Sequence, residues 1–184
     1  MQTINLNGRW QVLERPLEDA GKAGLGKALD CADEWLAARV PGEIHLDLVR
    51  AGKMAQPLVG INAQKSRWPE ARSWWYRRTF TVADRFLALE QQQLIFEGID
   101  LFGQVFLNGD LIGECRNAFI PAVFDLRGLL QTGRNELVVR VTGGGELVPS
   151  DVPRKGPEPV GSLYDNRQWN EGVRHLRKPQ CTYG

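Results

Sequence analysis

The sequence predicts an all-β sandwich, jelly rolls included, with one short helix and a long irregular C-terminal arm. Three observations carry the prediction: a run of residues alternating with period two, an Asn-Gly pair between two apolar stretches, and little helical periodicity anywhere. Residues 74–82 (WWYRRTFTV) set Trp74, Tyr76, Phe80 and Val82 on one face against Trp75, Arg77, Thr79 and Thr81 on the other. Arg78 falls on the apolar face, so the alternation carries one exception. A pattern so rich in aromatic and branched side chains is that of a half-buried antiparallel strand.

The remaining elements follow in the same way. A short strand is expected at 94–97. Residues 104–107 and 111–114 flank Asn108-Gly109, the preferred pair for a type I′ hairpin because both residues accept positive φ. Residues 136–141 place Leu137, Val139 and Val141 on one face after a turn at 131–135. Shorter strands are expected at 8–13 and 35–40. One helix is expected at 43–51, after Pro41-Gly42, with Arg50 in its last turn, Gly52 as its stop, and Ile44, Leu48 and Val49 toward the core. A single helical turn is expected at 125–130, with Asp125 as its N-cap.

From Gly143 the character changes. Gly143, Gly144 and Gly145 are followed by Pro149, Pro153, Pro157 and Pro159 with charges between them. Proline cannot donate to a strand ladder and glycine loses the most entropy on ordering, so the stretch reads as loop or extended arm. The sandwich is therefore expected over 1–145 and the arm over 146–184. The arm carries Tyr164, Trp169 and Tyr183, and part of it is expected to dock.

Bulk properties exclude several function classes. The net charge of +1 provides no field to gather nucleic acid or an anionic membrane. No apolar run approaches the roughly 20 residues that span a bilayer. The N-terminal residues lack the basic and apolar stretches of a signal peptide, and Cys31, Cys115 and Cys181 are odd in number and far apart. Reduced thiols in a cytoplasm are the expectation, with a secreted parent whose signal was trimmed as the alternative. No cofactor or metal is expected: His45 and His175 stand far apart with no carboxylate or cysteine spacing beside them, and the glycine run at 143–145 lacks the Gly-Lys-Ser/Thr of a phosphate loop.

Four segments in order resemble one family: Leu6-Asn-Gly-Arg-Trp10; Val40-Pro-Gly-Glu-Ile-His-Leu-Asp-Leu48 leading to Pro57-Leu-Val-Gly-Ile-Asn62; Trp68 with Ser73-Trp-Trp-Tyr-Arg77; and Phe96-Glu-Gly-Ile-Asp100 with Val105-Phe-Leu-Asn-Gly109. Together they resemble the N-terminal domain of family 2 glycoside hydrolases, and the His45-x-Asp47-Leu48 segment resembles the β-mannosidase branch. The resemblance covers roughly 6–141 and resumes at Arg177-Lys-Pro-Gln180 with Tyr183-Gly184. It implies a galactose-binding-domain-like jelly roll, followed in the full enzyme by immunoglobulin-like domains and a (β/α)8 barrel, which are the expected partners. It also implies a retaining hydrolysis of terminal β-mannosides by two barrel glutamates about 5–5.5 Å apart, neither of which lies in these residues. The family's Trp-Asp-Trp-Gly-Pro motif would begin just after Gly184. The chain on its own is therefore expected to be inactive and to lack the last strands of its sandwich, as a truncated piece. The alternative is a free-standing carbohydrate-binding module, lectin-like, on the same scaffold.

The resemblance implies three substrate-facing candidates in the parent enzyme: Asn62, Arg177 and Lys178. Asn62 sits in a loop that faces the barrel in the family, although Ala63 stands where the family usually has an acid; the other reading is an Asn bonding its own loop backbone. Arg177 and Lys178, with Gln180, either orient an acid or sugar hydroxyl or touch a neighbouring domain. Trp68, Trp74, Trp75 and Trp169 are either sugar-stacking rings or packing, with Trp74 assigned to the core by parity. Asp100, Asn108 and the pair Glu97/Asp100 read as turn residues, and His45 as packing.

Overall fold

Register dictates the architecture. In the computed structural model, which describes residues 2–31 and 33–144, eight strands pair entirely antiparallel. They are β1 (Gly8–Pro16), β2 (Leu36–Val40), β3 (Arg72–Val82), β4 (Gln93–Phe96), β5 (Phe102–Leu107), β6 (Asp110–Cys115), β7 (Ala122–Asp125) and β8 (Gly133–Thr142). Six form one sheet in the order β2-β1-β3-β8-β5-β6, and β4 and β7 form a second, two-stranded layer. The expected arm over 146–184, with Arg177, Lys178, Gln180, Trp169, His175 and Cys181, lies outside the described residues.

Two neighbouring side chains on each central strand feed two different cores. Val12, Trp74, Val105, Leu137 and Val139 point into the sandwich, where Leu94, Ile99 and Leu126 cover them. Leu13, Trp75, Phe106 and Val138, each one residue along, point out the other side. That outer face is covered by α1 (Gly21–Asp30), which lays Leu25 and Ala28 onto it. Trp75 is fully buried there and stacks on Phe106 with centroids 5.7 Å apart. The sequence pattern indicates a strand with one wet face; the helix makes it a strand buried on both faces over its first turns.

The helix was not legible in the pattern because Gly24 and Gly26 interrupt it, and glycine costs a helix about 1 kcal/mol relative to alanine. Gly24 has a packing reason. A Cβ there would lie 2.7 Å from the Asp19 carbonyl carbon and 3.0 Å from the Trp75 ring. The loop before α1 is pinned from beneath by Arg140, fully buried, which donates to the carbonyls of Asp19 (2.8 Å) and Leu17 (2.6 Å). Asp19, also buried, accepts from Lys27 (2.5 Å) and Arg15 (3.1 Å).

The Asn108-Gly109 turn closes β5 onto β6 with φ of 52° and 91°, the two positive angles of the expected type I′ hairpin. Asn108 also serves beyond the turn: its Oδ1 accepts from the Glu136 N–H, and its Nδ2 donates to Asn135 Oδ1, both at 2.9 Å. The exception on β3 also resolves, because Arg78 Nη1 donates to the carbonyls of Leu6 (2.7 Å) and Asn7 (2.8 Å) and so ties down the chain's first residues.

Two expectations are corrected. Residues 125–130 form no helical turn: Asp125 ends β7, and its carboxylate takes the Arg127 backbone N–H (3.0 Å) and guanidinium in a local turn. The motif is an Asp bonding two residues on, chemistry that mimics a cap without a helix behind it. Val49 is half-buried and outside the core cluster, whereas Ile44 and Leu48 of α2 (Ile44–Arg50) do pack on it. The third core-side position of that helix is Asp47.

Candidate functional site

One end of the sandwich gathers the residues of the second and third family-like segments. After α2 the chain crosses an exposed loop into α3 (Asn62–Lys65), then a 3₁₀ turn (Trp68–Ala71) that delivers it to β3. Hydrogen bonds rather than packing hold this stretch in shape. The Val59 N–H donates to the Gln56 carbonyl (3.3 Å) and the Asn62 N–H to the Val59 carbonyl (3.2 Å). Asn62 Nδ2 donates back to the Gln56 carbonyl six positions earlier (3.1 Å), closing the loop. The Asn62 carbonyl accepts from Ser66 twice, through its N–H (2.9 Å) and its Oγ (2.8 Å).

The loop is then fastened to the body. His45 Nε2 stands 3.0 Å from the Ser66 carbonyl, which makes Nε2 the protonated nitrogen. His45, expected as packing, is a hydrogen-bonded strut between α2 and the loop. Trp74 Nε1 donates to the Pro69 carbonyl (3.0 Å), and Trp68 lies against Trp74 with centroids 5.8 Å apart and planes tilted by 52°. Of the candidate stacking rings in the described residues, Trp74 and Trp75 are buried, and Trp68 alone keeps an open edge at 36% exposure.

Asp47, to which the sequence pattern assigns no role of its own, follows His45 by two residues on the buried face of α2. Its carboxylate is 1% exposed; Oδ1 pairs with Arg50, and Oδ2 is buried with no partner. Burial pushes the carboxyl above the usual carboxylate range, against the opposing pull of the Arg39 backbone N–H and of Arg50. Tyr76 faces it from β3; burial, then the charges of Asp47 and Glu43, drive its phenol well above the ordinary range. Helical spacing carried the missing signal, since Ile44, Asp47 and Leu48 share one face.

Chemically, the arrangement positions a loop. Glu97 and Asp100 are both exposed, and among the described residues no group of three or more His, Cys, Asp or Glu side chains converges as a metal site would need. Asn62 is the one substrate-facing candidate within the described residues; its amide donor holds the loop, as the local-bonding reading has it, and the rest of the group lies half-buried at the loop's base.

Comparison with known proteins places this geometry. The glycosyl hydrolase 2 galactose-binding domain-like family matches residues 18–184. The chain is 37% identical over 98 residues to β-mannosidase B of Emericella nidulans, covering 51% of this chain and 11% of that protein. It is 25% identical over 156 residues to β-mannosidase A of Aspergillus aculeatus, covering 80% of this chain and 16% of that one. The crystal structure of a β-D-mannosidase from Dictyoglomus thermophilum superposes with a TM-score of 0.69 at 34% identity, over 86% of this chain and 18% of that one. The chain thus spans less than a fifth of the length of these relatives. With a family match across most of its length and a sandwich to correspond, the chain belongs to the galactose-binding domain-like family of glycosyl hydrolase 2 and is similar there to the β-mannosidases.

Proposed function

We propose that this chain is the N-terminal accessory domain of a retaining exo-glycosidase that removes terminal β-mannosides, and that its work is to buttress the catalytic barrel and wall one side of the substrate pocket. The observation that carries this reading is the similarity to β-mannosidases, in sequence and in fold, over a domain-sized part of much longer enzymes. The loop at 56–66 is the face turned to the barrel. Its hydrogen-bonded scaffold supports positioning, because a loop fixed before the substrate arrives costs less to order on binding. Asn62 at its base, with Arg177 and Lys178 farther along the chain, are the residues proposed to meet the sugar or the groups around it. The acid/base and nucleophile belong to the barrel.

Turnover of an aryl β-mannoside by the 184-residue chain is the test. The expected result is none above a heat-denatured control, and reproducible hydrolysis sinks the proposal. Titration with mannose or manno-oligosaccharides is expected to show nothing tighter than millimolar. A micromolar isotherm would instead identify a self-sufficient carbohydrate-binding module.

A further inference from the structure

We propose that Asn7-Gly8 is a self-modifying site, at which the chain converts Asn7 to aspartate and isoaspartate through a succinimide and releases ammonia. The sequence holds eight asparagines, and two of them, Asn7 and Asn108, precede a glycine. Glycine matters because the nucleophile is its own backbone nitrogen, and a side chain there would crowd the approach to the asparagine carboxamide. The fold treats the two pairs in opposite ways. Asn108 is bound at both ends of its carboxamide: Oδ1 accepts from the Glu136 N–H (2.9 Å), and Nδ2 donates to Asn135 Oδ1 (2.9 Å) and to the Leu129 carbonyl (3.3 Å). Asn7 is exposed and lies one residue before the first rung of β1. Its backbone N–H donates to Asn5 Oδ1 (2.8 Å), but its carboxamide has no hydrogen-bond partner among the described residues.

A second feature activates the pair. Arg78 Nη1 donates to the Asn7 carbonyl (2.8 Å) and to that of Leu6 (2.7 Å). When solvent hydroxide takes the Gly8 amide proton, the negative charge spreads onto the Asn7 carbonyl oxygen, where the guanidinium already stands. Gly8 has a φ of 116°, and a Cβ built on it would meet only the end of Arg78, at 3.8 Å, so the space on that side of its Cα is open. The Gly8 nitrogen then attacks Asn7 Cγ. The N–Cγ bond forms, the Cγ–Nδ2 bond breaks, and ammonia departs with a proton from water, which restores the hydroxide. Water opens the ring in one of two ways. Cleavage of the new N–Cγ bond gives aspartate; cleavage of the original peptide bond gives isoaspartate, with the backbone running through Cβ and Cγ. The isoaspartate product carries an extra backbone carbon just where Arg78 and Trp10 Nε1 (2.8 Å) both hold the Leu6 carbonyl. Conversion therefore slackens the anchor of the chain's first residues.

The proposal goes beyond the accessory-domain reading and does not depend on it. It is tested by incubating the 184-residue chain at mildly alkaline pH and following the peptides that contain Asn7 and Asn108 by mass spectrometry. Conversion is expected at Asn7, at least about ten-fold faster than at Asn108, whose hydrogen bonds must break before its carboxamide can turn. Arg78→Met is expected to slow Asn7 by about ten-fold. Arg77→Met, whose guanidinium bonds Gln11 instead, is expected to leave the rate unchanged. Equal conversion at the two sites overturns the proposal. So does an Asn7 rate that Arg78→Met leaves alone or raises, since Arg78 would then only clamp the peptide. Where Arg78→Met does not fold, its Asn108 converts as fast as its Asn7; the parent's own ratio of the two rates then decides, and a ratio near one sinks the site. Hydrolysis of mannosides reads the accessory-domain proposal separately.

Discussion

Asp47 shows how one side chain can be fixed by its helix and still be at odds with its surroundings. Position 47 falls on the buried stripe of α2 because Ile44 and Leu48 do, and a carboxylate placed there loses water. Only one of its oxygens recovers a side-chain partner, Arg50, whose own side chain is 55% exposed. The folded carboxyl thus holds its proton more tightly than the unfolded one, chiefly through desolvation. A group of that sign contributes its full stability below the ordinary aspartate value of about 3.9 and loses it as pH rises through the higher folded value. Asp47→Asn keeps an acceptor for the Arg39 N–H, leaves Arg50 in water and removes the charge. The melting temperature of the variant relative to the parent is expected to climb as pH is raised from about 4 to about 7. Asp19 and Glu114, held low chiefly by hydrogen bonds from Lys27 and Gln104, change stability in the opposite sense in both proteins and cancel in the difference. A pH-independent difference would show that the buried oxygen is satisfied after all.

Elements differ in how openly the sequence announces them, and the difference is physical. β3, the Asn108-Gly109 hairpin, β8 and α2 were legible because each is specified locally, by period-two alternation, by turn residues that accept positive φ, or by a helix with a basic last turn and a glycine stop. β7 was not. It is four residues long, follows Pro121 and is defined only by pairing with β4, some thirty positions earlier, through a register such as Leu94 with Phe124. α1 was hidden because its glycines argue against a helix while its packing requires one of them. The site followed the same rule: the motif around 40–48 and Asn62 stood out, whereas Asp47's stranded oxygen needed the fold to appear. Gly24→Ala turns this account into a measurement. Propensity alone would stabilise the helix by about 1 kcal/mol. A Cβ 2.7 Å from the Asp19 backbone, which Arg140 and Lys27 hold in place, cannot be accommodated by a rotamer change. The expected result is a net loss of about 1–3 kcal/mol in urea unfolding. A gain would mean that α1 floats free enough of the sheet to shift.

At the scale of the molecule, the question is whether the two apolar clusters stand or fall together. They occupy opposite faces of one six-stranded sheet, and the central strands give alternate residues to each: Trp74 and Trp75 on β3, Val105 and Phe106 on β5, Val138 and Val139 on β8. Neither layer can dissolve without exposing backbone that the other relies on, and Arg140, rooted in β8, holds the loop that leads into α1. Such sharing makes for one cooperative unit rather than a sandwich with an appended helix. Val138→Ala, on the outer face, and Val139→Ala, on the inner, should each remove about 1–3 kcal/mol and move the same single transition. Tryptophan fluorescence and far-ultraviolet circular dichroism should therefore coincide through urea unfolding for the parent and both variants. An early fluorescence step confined to Val138→Ala would mark α1 and its cluster as a separate unit, and the sheet would then be a support the helix leans on rather than a structure it completes.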